Sequence, residues 1–335
     1  MGTGQHILTS KTPTAVFLVV TVDDGGEQAA RDALEGLAGI VTTVSSRVPD
    51  ATLCAVVAIG SDAWDRLFSG PRPAELHPFV ELTGEVHTAP ATPGDLLLHI
   101  KSDRADLAYE VGRLWTAQLG DAVTTVDETH GFRYFDMRDL IGFVDGTENP
   151  NGPDAVSAIT VDPDQDPDFA GGSYVAVQRY VTEFSEWDAL PTSDQEDAIG
   201  RSKLENVEMD DDTKPSNAHT ALTNLPDVDG EPQDIVRDNM PYGDIAGDGV
   251  KGTYFIAYSK TPAITEEMLR HMFLGDPPGN HDRLLDFTTA VTGTQFFAPT
   301  AEFLADLPPA PETEPAEQPT TVGPSDGSLG IGSLR

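Results

Sequence analysis

Two segments of this 335-residue chain carry polar side chains suited to moving a proton and stabilising a negative charge. In the first, Gly142–Pro150, the carboxylate of Asp145 follows an apolar run and precedes a glycine. The second reads Ile-Val-Arg-Asp-Asn-Met-Pro, and strand geometry would point Arg237 and Asn239 to the same face. A guanidinium beside an amide suits a pocket for a small polar ligand. Taken alone, an Asp-Gly turn and a solvated edge strand are the simpler explanations.

Histidines are the main candidate metal ligands. There are eight: His6, His77, His87, His99, His130, His219, His271 and His281. No pair has the His-x-x-x-His spacing of a helical zinc site, and a single cysteine cannot build a thiolate cluster. If a metal is bound, one axial imidazole on a haem fits this composition better than a cage of protein ligands. Asp282 precedes an apolar run and is by default a helix N-cap.

Periodicity in the first half predicts the elements that would position these residues. Apolar runs indicate strands over 14–22, 51–59, 95–101 and 122–127, and helical spacing indicates helices over 27–44 and 105–119. A short helix follows the second strand, from Ser61 to Phe68, with Ser61 as its predicted N-cap. The order strand, helix, strand, strand, helix, strand is the ferredoxin-like pattern.

The second half repeats this order with longer loops. Strands are predicted over 174–181, 235–239, 253–259 and 295–297, and helices over 184–199, interrupted by Pro191, and 266–274. The two halves share no visible sequence repeat, so their similarity rests on element order. We therefore predict an α+β chain with two related halves.

The charge balance restricts the possible partners. There are 20 Lys and Arg residues against 56 Asp and Glu residues, which gives a formal net charge of -36. Such a surface repels phosphate backbones and anionic membranes, so we expect neither nucleic acid nor membrane partners. The acidity would suit a salty cytoplasm, or it could simply aid solubility.

Cysteine use and hydropathy indicate the compartment. Cys54 is the only cysteine, so no internal disulfide is possible and a reducing compartment is permitted. No segment approaches the roughly 20 apolar residues of a membrane span. The apolar run at 15–20 is too short for a signal peptide. We expect a cytoplasmic protein.

The composition changes near the C-terminus. Residues 306–324 are rich in proline and have few apolar side chains, which predicts a disordered linker. Residues 325–335 read Ser-Asp-Gly-Ser-Leu-Gly-Ile-Gly-Ser-Leu-Arg and place three aliphatic residues among glycines and serines. These glycines are not a dinucleotide-binding fingerprint, because no strand precedes them and no helix follows.

Together and in this order, four segments resemble the dye-decolorizing peroxidases over residues 12–305. They are Gly142–Pro150, His219 in its Ser-Asn-Ala-His context, Arg237-x-Asn239-Met-Pro and residues 280–287. The compact bacterial B-type members are the most similar, and Gly-x-x-Asp-Gly is the family's signature. The resemblance implies two ferredoxin-like domains packed together, of the dimeric α+β barrel type. We expect an N-terminal domain at 1–150 and a domain binding haem b (iron protoporphyrin IX) at 151–305.

The resemblance also implies how haem would be held. His219 would be the axial ligand of the iron, with its other ring nitrogen hydrogen-bonded to an acceptor that orients the ring and increases its basicity. Asp282 is the matching acceptor and Asp286 the alternative. Arg201 resembles the family's contact to a haem propionate, although a surface arginine is the simpler explanation.

On the other side of the haem, the resemblance implies a catalytic group formed by Asp145, Arg237 and Asn239. Cleavage of hydrogen peroxide needs one group that moves a proton and one that stabilises developing negative charge. Arg237 cannot deprotonate and would stabilise charge, whereas the carboxylate of Asp145 is available as a base. The family does not decide which of the two limits the rate.

The C-terminal segment resembles the cargo-loading peptides of encapsulin shells. These peptides typically read Ser-Leu-x-Ile-Gly-Ser-Leu followed by a basic residue, and residues 328–335 fit that pattern. Leu329, Ile331 and Leu334 would then enter apolar pockets on the shell protein's inner wall. The resemblance implies a peroxidase enclosed in an encapsulin nanocompartment, and several tails on a homo-oligomer would bind by avidity.

Two other functions compete with a peroxidase that oxidises organic donors such as dyes and phenolics. A haem-binding or iron-release protein would also need His219, but only the peroxidase needs the Asp145–Arg237 pair. Chlorite decomposition on a related fold is disfavoured, because the distal aspartate is a feature of the peroxidases.

Overall fold

The first strand shows why the chain forms a layered sheet. An apolar run at 15–20 forms its centre, and Val16 and Leu18 pack into one hydrophobic cluster while Phe17 and Val19 pack into another. Because successive strand residues point to opposite faces, this strand is buried on both sides. The structure is a computed structural model that describes residues 4–9, 11–228, 230, 232–246 and 249–312.

The described residues contain twelve strands and nine α-helices in a mixed order. The strands are β1 (Thr14–Val22), β2 (Leu53–Gly60), β3 (Leu82–Thr83), β4 (Thr88–Ala89), β5 (Leu96–Ser102), β6 (Val123–Phe132), β7 (Ser173–Thr182), β8 (Val236–Arg237), β9 (Met240–Gly243), β10 (Lys251–Ser259), β11 (Thr288–Ala290) and β12 (Thr294–Ala298). The helices are α1 (Glu27–Ser45), α2 (Ser61–Leu67), α3 (Ala105–Leu119), α4 (Pro153–Ile159), α5 (Phe184–Trp187), α6 (Thr192–Ile199), α7 (His219–Thr223), α8 (Pro262–Leu274) and α9 (Ala301–Ala305).

The strand order confirms two ferredoxin-like units. One antiparallel sheet has the order β6-β1-β5-β2-β12-β7-β10-β8, with β9 also pairing with β10. Numbered within each half, both units have the order 4-1-3-2. The halves join where β2 pairs with β12, with Phe296 opposite Gly60.

The sheet nearly closes on its other side, where β6 and β9 approach each other. A Cβ atom at Gly131 of β6 would collide with the Cβ of Met240 in β9, so glycine permits this approach. The two faces of the curved sheet contact different groups of residues. Helices α1 and α3 cover the outer face of the first half, and residues from both halves fill the interior.

The interior of this curved sheet is partly polar. Lys101 of β5 is 1% exposed, and its ammonium lies 2.9 Å from a carboxylate oxygen of Asp238. It also donates to the carbonyl oxygen of Ile7 at 2.6 Å. Burial lowers the pKa of neighbouring His99 to about 3, so this imidazole is neutral. A buried ion pair therefore links the two halves of the chain.

Three local predictions differ from the structure. Gly60, rather than Ser61, is the N-cap of α2, and the Ser61 hydroxyl accepts from Arg72. The strand predicted at 122–127 extends to Phe132 because polar residues of β6 face the interior. The strand predicted at 235–239 pairs with β10 over two residues only, Val236 and Arg237.

The C-terminal part of the described chain remains attached to the folded body. Leu307 is buried, and the carbonyl oxygen of Pro309 accepts hydrogen bonds from the backbone and side chain of Ser69. A linker predicted from residue 306 therefore has its first residues packed on the body. The predicted targeting peptide, with Leu329, Ile331 and Leu334, lies outside the described residues.

None of the helices in the described part of the chain combines the length and the hydropathy that crossing a bilayer requires.

Candidate active site

A large cavity lies against the outer face of the second sheet half. Strands β7, β8 and β10 form one wall, helices α7 and α8 form another, and the loop at 139–148 forms a third. Apolar side chains line much of it, including Phe143, Ile199, Phe255 and Met272. Concave, mainly apolar sites with a few polar groups are typical of cofactor pockets.

Strand alternation decides which residues of β8 and its continuation face the cavity. Arg237 and Asn239 line the cavity, whereas Val236 and Met240 pack into the interior cluster. Asp238 also points to the interior, where it meets Lys101. The prediction that Arg237 and Asn239 share a face is confirmed, and the same alternation explains the buried ion pair behind them.

The segment at 142–150 brings its carboxylate to the same place. Asp145 lines the cavity, and its Oδ1 accepts a hydrogen bond from the Asn239 amide at 3.3 Å. Asn239 is itself held, because its Oδ1 accepts from the backbone N–H of Ile256 at 3.0 Å. Asp145, Asn239 and Arg237 thus form one group of cavity-lining polar residues, called here the distal group.

Asn149 fixes the backbone beneath this group. Its side-chain amide donates to the carbonyl oxygen of Arg237 at 2.7 Å and accepts from the Arg237 N–H at 3.0 Å. This pair of hydrogen bonds anchors the loop to β8. Among the described residues, the Arg237 guanidinium has no hydrogen-bond or ion-pair partner, so its donors remain available in the cavity.

His219 enters the cavity from the helical wall. It is the first residue of α7, and its Nδ1 lies 2.6 Å from Oδ2 of Asp282. Asp282 is fully buried, and its other oxygen accepts from the backbone N–H of Leu284 at 2.8 Å. Asp282 thus has both functions considered from sequence, an N-cap of the following turn and an acceptor for the histidine.

The pairing defines which nitrogen of the imidazole faces an acceptor. A carboxylate oxygen accepts, so Nδ1 of His219 is the nitrogen that donates to Asp282. In the neutral imidazole, Nε2 is then the nitrogen without a proton and can bind a metal. Asp286, the alternative acceptor, is instead bonded to His87 and His281.

Arg201 lies at the cavity edge and is not a surface residue. It is 9% exposed, and its guanidinium bonds Glu148 at 2.5 Å and the carbonyl oxygen of Asn206 at 3.0 Å. To contact a haem propionate, the guanidinium would have to bind the propionate together with Glu148 or in place of it.

Asp139 is a cavity residue that the sequence did not single out. Its Oδ1 accepts from the backbone N–H groups of Gly142 and Phe143. Burial, with the neighbouring charge of Asp145 as the second cause, raises the pKa of the Asp139 carboxyl to about 7. The cavity therefore has, in Asp139, a carboxyl whose pKa is raised to near neutral pH.

The donor set of the cavity fits a haem. His219 is the one histidine among its lining residues, and no cysteine lines it within the described ranges. Such a set offers one axial ligand and cannot build a protein cage. In addition, the buried hydroxyls of Thr220 and Thr265 line the cavity without a hydrogen-bond partner, which is consistent with a bound group contacting them.

Sequence patterns gave weak signals for the missed residues. Asn149 belongs to the Asn-Pro pair that ends the loop, and this pair also fits an ordinary turn. Asp139 stands four residues before Phe143, and only the folded loop shows that its carboxyl is held by backbone donors.

Comparison with known proteins gives the family. A family model for the N-terminal domain of Dyp-type peroxidases matches residues 4–133, and one for the C-terminal domain matches 136–303. The chain is 59% identical over 331 residues to a dye-decolorizing peroxidase of Rhodococcus erythropolis, covering 99% of this chain and 96% of that protein.

Solved structures agree with this result. An encapsulated DyP-type peroxidase from Mycobacterium smegmatis superposes with a TM-score of 0.90 at 54% identity, over 93% of this chain and 100% of that one. A variant of DypB from Rhodococcus jostii RHA1 in complex with haem gives a TM-score of 0.87 at 51% identity, over 90% and 98% of the two chains. The chain therefore belongs to the Dyp-type peroxidase family and is a haem-dependent dye-decolorizing peroxidase.

Proposed function

We propose that this peroxidase carries haem b, with His219 as the axial ligand of the iron and Asp282 as the acceptor that orients it. The observation that carries this proposal is the 2.6 Å contact between Nδ1 of His219 and buried Asp282, beside a cavity lined by the distal group. When bound, haem supplies the iron that exchanges electrons with hydrogen peroxide and with an organic donor.

In this proposal the distal group handles hydrogen peroxide. The Asp145 carboxylate accepts a proton from one peroxide oxygen and returns it to the other, which becomes the leaving water. The Asn239 amide orients that carboxylate through its 3.3 Å hydrogen bond. Arg237 keeps its positive charge and stabilises the negative charge that develops on oxygen.

Arg201 would hold a propionate at the cavity edge. Its guanidinium has five donors and already pairs with Glu148 and Glu208, so a propionate would be a third carboxylate that shares or replaces one of these contacts. Organic donors such as dyes or phenolics would supply the electrons that this haem chemistry needs.

Haem content of matched histidine variants tests the axial assignment. His219→Ala should retain little haem after reconstitution, whereas His130→Ala should retain a full complement. His130 is a suitable control because it lies on β6 and pairs with Glu128 on an exposed surface, outside the cavity lining. A pyridine haemochrome assay identifies the haem type. A His219→Ala protein with an unchanged histidine-ligated spectrum would contradict the assignment.

We further propose that residues 325–335 direct the enzyme into an encapsulin shell in the cytoplasm. The support is the match of residues 328–335 to cargo-loading peptides and the description of the M. smegmatis relative as encapsulated. Burying Leu329, Ile331 and Leu334 would give about 1.5–3 kcal/mol each before ordering costs. One such tail binds weakly, so we also propose a homo-oligomer that presents several.

Deletion of residues 325–335 tests this targeting. The truncated enzyme should keep its haem and its activity, but it should no longer co-purify with a co-expressed encapsulin shell protein. Deleting residues 313–324 instead is the matched control, because it shortens the chain while keeping the peptide. Normal loading of the truncated enzyme would refute the proposal.

A further inference from the structure

We propose that His87, His281 and Asp286 form a binding site for a divalent transition metal ion, with Zn²⁺ as the best match. Their ligand atoms, one from each side chain, all lie within 4.8 Å of one another. None of the three residues lines the haem cavity. The site is therefore separate from the chemistry described above.

The three side chains converge on one point. Nε2 of His87 lies 3.0 Å and Nε2 of His281 lies 3.1 Å from the same carboxylate oxygen, Oδ1 of Asp286. In a tetrahedral zinc site, metal–ligand distances of about 2.0–2.2 Å place neighbouring ligand atoms roughly 3.3–3.5 Å apart. Small side-chain rotations would bring these atoms to that spacing.

The cluster can also be explained by two imidazole N–H groups donating to one carboxylate. In that alternative, Oδ1 of Asp286 accepts both hydrogen bonds. A metal ion between the three atoms replaces both hydrogen bonds with ligand bonds and uses the unprotonated form of each Nε2. The two imidazole rings already pack edge to face, with centroids 4.8 Å apart, so binding requires little rearrangement.

The backbone holds two of the three ligands, His87 and Asp286, in place. His87 closes the β3–β4 hairpin, where its carbonyl oxygen accepts from the Gly84 N–H at 2.9 Å. The turn that presents Asp286 begins at Asp282, whose side chain caps it. Preorganised ligands lower the entropic cost of binding.

Exposure and ligand type define the class of ion. The side chains of His87, His281 and Asp286 are 20%, 22% and 42% exposed, so solvent can reach the point where they meet and supply the remaining ligands. Two imidazoles with one carboxylate favour zinc and its late transition-metal neighbours over Mg²⁺, Ca²⁺ or Mn²⁺, which prefer oxygen ligands.

A bound ion would connect two distant parts of the chain. His87 belongs to the first half, whereas His281 and Asp286 flank Asp282, the residue bonded to His219. The ion would therefore tie the β3–β4 hairpin to the loop that supports the axial histidine. We expect it to raise the thermal unfolding midpoint of the holoenzyme.

Calorimetric titration of the untagged holoenzyme with ZnCl₂ tests the site. The wild type should bind one equivalent that His87→Gln and Asp286→Asn each weaken by roughly tenfold or more, since even partners of metal ligands contribute about 10–100-fold. His130→Gln is the matched control, because His130 pairs with Glu128 on an exposed surface. Titration in 0.5 M NaCl removes diffuse attraction to the acidic surface.

Thermal unfolding followed by circular dichroism provides a second readout. Zn²⁺ should raise the midpoint of the wild type and of His130→Gln, but not that of His87→Gln or Asp286→Asn. MnCl₂ should bind the wild type more weakly than ZnCl₂. Equal Zn²⁺ affinity in wild type and His87→Gln, or a midpoint that Zn²⁺ leaves unchanged in the wild type, would overturn the proposal.

Discussion

Replacing Lys101 with methionine tests how much the buried ion pair in the sheet interior contributes to stability. Lys101 and Asp238 form a 2.9 Å ion pair with side chains only 1% and 10% exposed. Asp238 stands between Arg237 and Asn239 in the sequence, with its side chain on the opposite face of the strand. Loss of the ammonium leaves a buried carboxylate without its cationic partner, near the uncharged side chains of His99 and Tyr258.

The magnitude follows from the burial. At an effective dielectric constant of about 20, unit charges 4 Å apart attract by about 4 kcal/mol, and each buried ion costs several kcal/mol of lost hydration. The intact pair is therefore close to neutral for stability, but removing one partner costs about 3–5 kcal/mol. Lys101→Met should lose this much unfolding free energy, and Lys101→Met/Asp238→Asn should lose less than the sum of the single changes.

Urea unfolding at pH 8, followed by far-ultraviolet circular dichroism, measures these differences. Arg104→Met is the control, because it breaks an exposed pair with Asp106 and should leave the midpoint nearly unchanged. In the wild type, burial lowers the pKa of His99 to about 3. Without Lys101, the unpaired carboxylate of Asp238 would favour protonation of His99. The loss in Lys101→Met should therefore be smaller at pH 5 than at pH 8. A Lys101→Met protein as stable as the control would refute this reasoning.

Three further variants test the walls of the cavity. The pKa of the Asp139 carboxyl is raised to about 7 in the folded protein, so this group destabilises the fold increasingly as the pH rises from about 4 to 7. Asp139→Asn should therefore be more stable than wild type in urea at pH 8. Near pH 3, where the carboxyl is protonated in both states, the variant should show no gain. Asp282→Asn removes the negative charge that increases the basicity of His219 and its electron donation to the iron. A spectroelectrochemical titration of the variant should therefore give a higher iron reduction potential. An unchanged potential would contradict this role of Asp282. Asn149→Ala removes the two hydrogen bonds that hold the backbone of Arg237. The variant should react more slowly with peroxide in stopped-flow experiments at unchanged haem content. A wild-type rate would show that these two hydrogen bonds are dispensable.

Much of the fold followed from periodicity. Strands such as β1 and β5 are buried on both faces, so they read as continuous apolar runs, and α1 and α3 carry apolar residues at helical spacing. The β3–β4 hairpin escaped prediction because two-residue strands have no period. The end of β6, residues 128–132, escaped because it has no apolar run, and its buried residues include the polar Thr129.

The candidate site was also predictable only in part. Local alternation was enough to place Arg237 and Asn239 on one face. The contact between His219 and Asp282 joins residues 63 positions apart and required the family resemblance. Lys101 and Asp238, 137 positions apart, gave no signal, because charged residues in strands usually face solvent.

The central claim is that the distal group cleaves peroxide at a haem held by His219. Stopped-flow absorption spectroscopy of the holoenzyme mixed with hydrogen peroxide tests it most directly. Losing one preorganised charge-stabilising donor typically costs about 10²–10³ in rate, so Arg237→Leu should react that much more slowly than wild type at equal haem content. Arg270→Leu, which removes an exposed arginine of α8, should react at the wild-type rate. Equal rates for Arg237→Leu and wild type would contradict the account.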